Sequence, residues 1–357
     1  TIIKVKVHIN ENSDIIKITI FDEKNDFYHV YICIANQKYL IMKKIILSAF
    51  ALVASTTLFA QANSDVTTQV GNLNLATVNQ VGLLNGNVLD QYGDENTAAV
   101  GQNGALNSNY TLQWGNKNDA IISQVGIMNS NQSYSIGNRN SVNVDQFGWF
   151  NESLIIQQGN RNSAEVDQVG IANSSEQYQT GNRNSASTNQ LGTLNYNMQD
   201  QWGNRNKAVT LQVGLSNSAE QWQYGDDNNA RSKQTGTNNM SQQLQMGNDN
   251  VARVVQDGSN NYAGQGQYGN ANFARSKQVG DGNYSLQLQY GDNNEARVRQ
   301  TGDDNMAFQT QLGFGNYAKD IQTGNDNLSV VNQTGGFHYH LGTQIGNSNA
   351  MFINQSN

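Results

Sequence analysis

Gln157-Gln158-Gly159-Asn160-Arg161-Asn162-Ser163-Ala164-Glu165-Val166-Asp167-Gln168 is the stretch on which the fold turns. Positions 162, 164, 166 and 168 hold Asn, Ala, Val and Gln, while Ser, Glu and Asp lie between them. Alternation with a period of two marks a strand with one buried face. Gly-Asn-Arg-Asn before it reads as a tight arc: glycine takes backbone angles closed to other residues, and asparagine tolerates the left-handed region or bonds its own backbone. A helix would not survive glycine and asparagine at this density.

Outward from that stretch the pattern is metrical. Steps of 11 from Gln69 reach 27 positions up to Gln355, and 26 of them are Gln, with Ser135 the exception. Gly follows two residues after each from Gly71 to Gly346, and Asn three further on from Asn74 to Asn349, broken only by His338. A second period of 22 lies over the first. Ala76, Ala98, Ala120 and their successors to Ala318 mark alternate halves, with Val142 and His340 as exceptions; Val78, Val100, Ile122, Val144 and Val166 follow two residues later. The other halves carry Gln177, Gln199, Gln221, Gln243, Gln265, Gln287 and Gln309 there instead. Two strands and two arcs thus make one winding of a two-sheet parallel β-solenoid, an all-β, cross-β architecture of 22 residues per turn and about 13 turns.

Windings stack at roughly 4.7–4.9 Å. At that spacing a primary amide donates to its copy on one side and accepts from its copy on the other, so identical residues form a ladder. One expected Gln ladder runs Gln80, Gln102, Gln124, Gln146, Gln168, Gln190, Gln212, Gln234, Gln256, Gln278, Gln300 and Gln322. The other runs Gln91, Gln113, Gln157, Gln179, Gln201, Gln223, Gln245, Gln267, Gln289 and Gln311. The expected Asn ladders include Asn140, Asn162, Asn184 and Asn206, and Asn151, Asn173, Asn195 and Asn217. The arcs turn at Gly137, Gly148, Gly159, Gly170, Gly181, Gly192, Gly203 and Gly214. No winding can bury enough surface to fold alone, so stability must come from neighbours.

Composition narrows the classes further. The 357 residues are only 37% hydrophobic and 14% charged, with 34 Gly and 0 Pro, against roughly 45–50% and about 25% for an ordinary globular domain. One cysteine, Cys33, excludes a disulfide framework or thiolate cluster. Residues 1–41 bear no relation to the metre and read as upstream or leader sequence. Residues 42–62 read as a secretory signal: Met42, Lys43 and Lys44, an apolar run from Ile45 to Ala54, and a small-x-small site at Ala60-Gln61-Ala62. Residues 63–357 then carry 14 basic and 23 acidic groups, a net of −9, which argues against specific nucleic-acid binding. The metre already fits Asn63, Asp65, Thr67 and Gln69 and runs to Gln355 without proline, so open sheet edges are expected at both ends. Open, self-complementary, heterologous ends propagate into a filament.

The half-repeat Gln-x-Gly-x-x-Asn-x-Ala-x-x-x-Gln, written out by Gln157 to Gln168, resembles the curlin repeat of curli subunits, over essentially all of residues 63–357. The resemblance implies a functional amyloid: a secreted cross-β fibre of the biofilm matrix, exported through the periplasm to the cell surface. The implied partners are other copies of the chain, a nucleating minor curlin and an outer-membrane curli secretion pore with its chaperones. The named Gln and Asn ladders would be the amyloid-forming residues. With about 13 windings the chain looks like a long form of the major subunit. It departs from the familiar pattern in having no non-repeat stretch between the signal-like segment and the first repeat.

Other signals are weaker. Gly264-x-Gly266-x-x-Gly269 spells a dinucleotide fingerprint, but no helix pattern follows it. Gly-Asp-Asp-Asn arcs resemble calcium-binding β-roll turns, whose repeat is a nonapeptide instead. His338 and His340 flank Tyr339 at a spacing two metal ligands can use, though drift in an irregular winding explains them without a metal. Lys117, Arg139, Arg161, Arg183 and Arg205 recur in one arc, and Arg231, Arg253, Arg275, Arg297 and Lys319 on an outward strand face. Neighbours in such rows repel by roughly 0.8 kcal/mol in water; solvated faces are the simpler reading, acidic polysaccharide the functional one. Tyr92, Trp114, Trp202, Tyr224, Tyr268 and Tyr290 form an outward aromatic row suited to cross-strand packing or to sugars. No catalytic, cofactor or metal residues are expected, and the chain reads as a non-enzyme. The alternative to a fibre subunit is a monomeric β-solenoid adhesin or surface-binding rod.

Overall fold

A computed structural model describes residues 63–357 in full and, within the first 62, the backbone of three strands. The two parts are separate units. In the first, Lys4–Asn10, Ile15–Phe21 and Phe27–Cys33 pair antiparallel in sequence order, within the stretch expected to be leader sequence. The expected signal segment, residues 42–62, lies outside the described residues.

The second unit is the coil that the metre demands. Alternate strands, from Ser64–Val70 to Ala350–Ser356, form a 14-stranded parallel sheet. Those between them, from Leu75–Leu83 to Tyr339–Ile345, form a 13-stranded one. Each strand pairs with the next-but-one in sequence, in a register offset of 22: Gln157 faces Gln179, Gly159 faces Gly181, and Asn160 faces Asn182. Inner residues are buried and outer ones are not, as in Ser163–Ile171, where Ala164, Val166 and Gln168 are covered while Ser163 and Glu165 are exposed. Open sheets of fourteen and thirteen strands are unusual alone; here each closes the other's inner face and side-chain ladders fix the spacing.

The arcs differ from expectation in one respect. The left-handed residue is not the ladder Asn but the residue before it: Lys117, Arg139, Phe150, Arg161 and Arg183 hold φ between 56 and 59°. The ladder Asn is already pinned by two neighbours, so the strain passes to the residue that turns the chain into it. Glycine is required two positions earlier. At Gly159, with φ 121°, a Cβ would lie 1.9 Å from the Gly181 carbonyl oxygen of the next winding. No side chain fits that approach.

Inside, the molecule has two characters. A hydrophobic cluster of Leu89, Val100, Ile122, Val144, Ile155 and Val166 with the alanines Ala98, Ala120 and Ala164 fills the earlier windings. From Gln177 onward that central seam turns polar: Gln177, Gln199, Gln221, Gln243, Gln265, Gln287 and Gln309 are buried on one sheet. On the other, Thr188, Thr210, Ser232 and Ser276 are buried, with aliphatic Val254 and Val298 between and beyond the serines.

Candidate functional site: amide ladders and their ends

Gln91 and every later ladder glutamine up to Gln322 is at most 2% exposed, as are the eight named ladder asparagines. The glutamines hand one hydrogen bond forward. Gln146 Nε2 donates to Gln168 Oε1 at 2.9 Å and also to the Ser130 carbonyl, and Gln168 repeats the pattern with Gln190 and Glu152. Both N–H groups and one lone pair are thereby used, which is what a buried amide needs. Gln80, in the first winding, is half-buried and joins the ladder through Gln102 at 2.7 Å. Ser135 interrupts the other column: its hydroxyl donates onward to Gln157 Oε1 at 3.1 Å, while Gln113 Nε2 before it donates only to the Thr97 carbonyl.

The asparagines run the opposite way. The Asn173 backbone N–H donates to Asn151 Oδ1 at 3.2 Å, and Nδ2 donates to the same oxygen at 3.1 Å and to the Gly192 carbonyl. Asn162 Oδ1 likewise accepts from the Asn184 backbone, whose Nδ2 reaches the Gly203 carbonyl. Each ladder Asn therefore ties strand end, arc glycine and neighbouring winding together. Its inward placement leaves sequons such as Asn151-Glu152-Ser153 without an accessible acceptor amide.

Three further arrays escaped the sequence reading. Asn138, Asn160 and Asn182, on the exposed arc, pass both a backbone and a side-chain hydrogen bond to the next winding, at 3.0–3.2 Å. The signal was the recurrent Gly-Asn in alternate arcs. A short inner column joins Asn87 to Asp65, Asn109 to Asn87 and Asn131 to Asn109 at 2.6–2.7 Å. Asn131 Oδ1 is left unpartnered where Ser153 replaces the next Asn. Last, the irregular winding contains a buried cluster. Asp320 is fully buried, accepts from Gln309 Nε2 at 2.8 Å, and meets His340 Nε2 at 3.0 Å. His338 instead takes the ladder position, its backbone N–H donating to Asn316 Oδ1 at 3.0 Å while its ring faces the Thr334 carbonyl. The two histidines have different partners, and among the described residues no group of three metal-ligating side chains occurs.

The outward rows are as spaced in the sequence. Tyr268 and Tyr290 stack at 4.8 Å, Tyr92 and Trp114 lie tilted at 5.7 Å, and Trp114 and Trp202 are more than half exposed. Arg253 and Arg297 approach the Phe273 ring at 5.8 and 5.3 Å. Burial, and then the Glu176 carboxylate, pushes the Tyr178 hydroxyl up to about 12.

At the two ends of the coil the ladders stop with opposite groups free. In the first winding Gln69 and Gln80 donate forward, while their Oε1 atoms have no partner among the described residues. In the last, Gln344 and Gln355 donate only to backbone carbonyls, of Leu328 and Tyr339, where inner glutamines also reach a next Gln. Asn349 binds back to Asn327, and its own Oδ1 is unmatched.

Four stretches of the chain, 88–126, 137–170, 272–302 and 286–312, match the family described as the Curlin associated repeat. No curated protein matches the chain.

Proposed function

Because the chain is a curlin-repeat protein built as a 22-residue β-solenoid, we propose that it is a secreted structural subunit whose coils join end to end into curli-type amyloid fibres of the extracellular matrix. One observation carries the reading. Unmatched Gln oxygens at the first winding and unmatched Gln N–H groups at the last have the spacing and direction of the ladder they interrupt. Bringing the last winding of one molecule onto the first of another completes those bonds and the backbone pairing with them, as in a cross-β stack. Contacts of this kind are heterologous and do not close. The regular interior offers no carboxylate or base cluster for catalysis, which favours a structural role. A minor nucleating subunit and an export pore with chaperones are the partners that accompany this reading.

The test is filament formation by the purified chain. Thioflavin-positive filaments with a meridional spacing of about 4.8 Å are expected. Growth should stop in Gln69→Lys/Gln80→Lys, whose charges would face the incoming winding. A chain that stays monomeric at high concentration supports the lone surface-binding rod instead.

A further inference from the structure

The geometry points to a binding groove for a linear, carboxylate-bearing polysaccharide along one edge of the coil. Lys117, Arg139, Arg161, Arg183 and Arg205 stack in successive arcs beside Asn116, Asn138, Asn160, Asn182 and Asn204, and together these two columns line an open cleft of about 650 Å³.

Three features make the cleft a site instead of a solvated row. First, charge is left over where it is concentrated. Lys117 pairs with Glu95 at 3.2 Å and Arg205 with Asp227, but Arg139, Arg161 and Arg183 form no ion pair among the described residues. The surrounding unit is acidic overall, at 14 basic against 23 acidic groups. Second, the backbone positions that carry the cations are held in register. Each sits at φ 56–59°, the left-handed corner of its arc, with the Asn bonded on the next rung holding the backbone there. One cation therefore stands at every rung of about 4.8 Å, a repeat close to that of one sugar ring in an extended chain. Third, the neighbouring column supplies neutral donors. Asn138, Asn160 and Asn182 each spend one Nδ2 hydrogen on the ladder and keep the other for the cleft, where ring hydroxyls and carboxylates accept.

The flanking aromatic row separates sugar from nucleic acid. Trp114 and Trp202 are exposed on the strands that lead into the cleft's first and last rungs, but Ile136, Gln158 and Thr180 occupy the rungs between. Successive bases need successive rings to stack on. A polysaccharide needs only hydroxyl and carboxylate partners along its length.

The test presents the full chain with polygalacturonate, its fully methyl-esterified form, single-stranded DNA and inorganic polyphosphate, and measures polymer retained per chain in soluble and assembled fractions alike. The readout does not depend on whether separate coils join. Arg139→Gln/Arg161→Gln/Arg183→Gln should lose polygalacturonate affinity by about tenfold or more at moderate salt. The same change at Arg231, Arg253 and Arg275 should alter it less than about twofold, and the methyl ester should not be retained. Should the triple variant lose its β circular dichroism, Arg161→Gln alone is read, with about a threefold loss expected. Undiminished retention by the arc variant, an equal loss in the outward-face variant, or retention of the methyl ester overturns the proposal. Tighter retention of DNA or polyphosphate overturns it in favour of a phosphate-binding groove.

Discussion

Earlier and later windings share a backbone path, two Gln ladders, two Asn ladders and the arc glycines, yet differ in what fills the seam between the sheets. Up to Val166 the seam is mostly aliphatic, with Leu89, Val100, Ile122, Val144 and Ile155 fully covered. From Gln177 it is a third amide column, in which Gln177 Nε2 donates to Gln199 Oε1 at 3.1 Å and across the seam to Thr188 Oγ1 at 2.9 Å. The change falls at one rung: Ile155 precedes Gln177, so Gln177 Oε1 has no donor. The outside changes as well. One arc carries Leu83, Ile127, Trp149 and Ile171 in the earlier windings, then Thr193 and Leu215, and finally Thr237, Ser259, Asp281 and Asp303. The frame is thus sufficient for the coil, and the seam is a free choice between aliphatic burial, about 1.5–3 kcal/mol for a Val or Ile, and a hydrogen-bonded amide, about 0.5–1.5 kcal/mol net.

The largest expected effect strikes the shared frame. Gly159→Ala and Gly247→Ala place a Cβ within about 2 Å of the next winding's glycine carbonyl, at Gly181 and Gly269. Both should abolish ordered stacking, at 3 kcal/mol or more, read as loss of cooperative unfolding. An effect in one half only would show that the frame is not shared. Next is the seam. Val144→Ala or Ile155→Ala should destabilise by about 2–4 kcal/mol, whereas Gln243→Leu, which strands Gln221 and Gln265, should lose about 1–3 kcal/mol. Gln177→Leu merely moves a junction that already leaves an oxygen unpartnered, and should change stability by less than about 1 kcal/mol. Amide exchange should accordingly be slowest between residues 98 and 171 and faster between 240 and 330.

A ranking of assembly rates sharpens the inside against the outside. Gln168→Leu/Gln190→Leu/Gln212→Leu removes three adjacent ladder amides and should slow growth more than Tyr224→Ser/Tyr268→Ser on the outward row. The reverse order would contradict the assignment of which face carries association.

The smallest effect is pH. Burial, and then Glu176, raises Glu152; burial, and then Glu165 and Asp145, raises Asp167; burial raises Asp200. A carboxyl group raised in the folded state favours folding fully below its ordinary range and loses that contribution as pH climbs through the raised value. Denaturant midpoints should therefore rise on going from pH 7 to pH 5, and Glu152→Gln should flatten the slope. A midpoint that falls over that interval would contradict the sign.

The frame was legible because each of its residues is used identically in every winding. Gln, Gly and Asn at fixed offsets encode register, and Ala beside Val or Gln encodes the inner face. What escaped depends on relations between windings. The left-handed residue is Leu73, Lys117, Phe150 or Asp227 in turn, so no residue type announces it. The outer Asn column alternates with Asp94, Asp226 and Asp292, which accept in the same way and hide its identity. Asp320 and His340 stand where other windings hold Val and Ala; their pairing across 20 residues appears only when the coil stacks one above the other.

The opposed running directions of the Gln and Asn columns have a consequence for length. Peptide dipoles in a helix align and sum to partial charges at its ends. Here glutamine amides point one way along the axis and ladder asparagines the other, while sheet backbones contribute little net dipole. The exposed Asn column and the later Gln column run with the Gln ladders, so the inner asparagines offset the polarisation in part. In a fibre of the proposed kind, each added coil would bring less field to the tip than its glutamine columns alone imply.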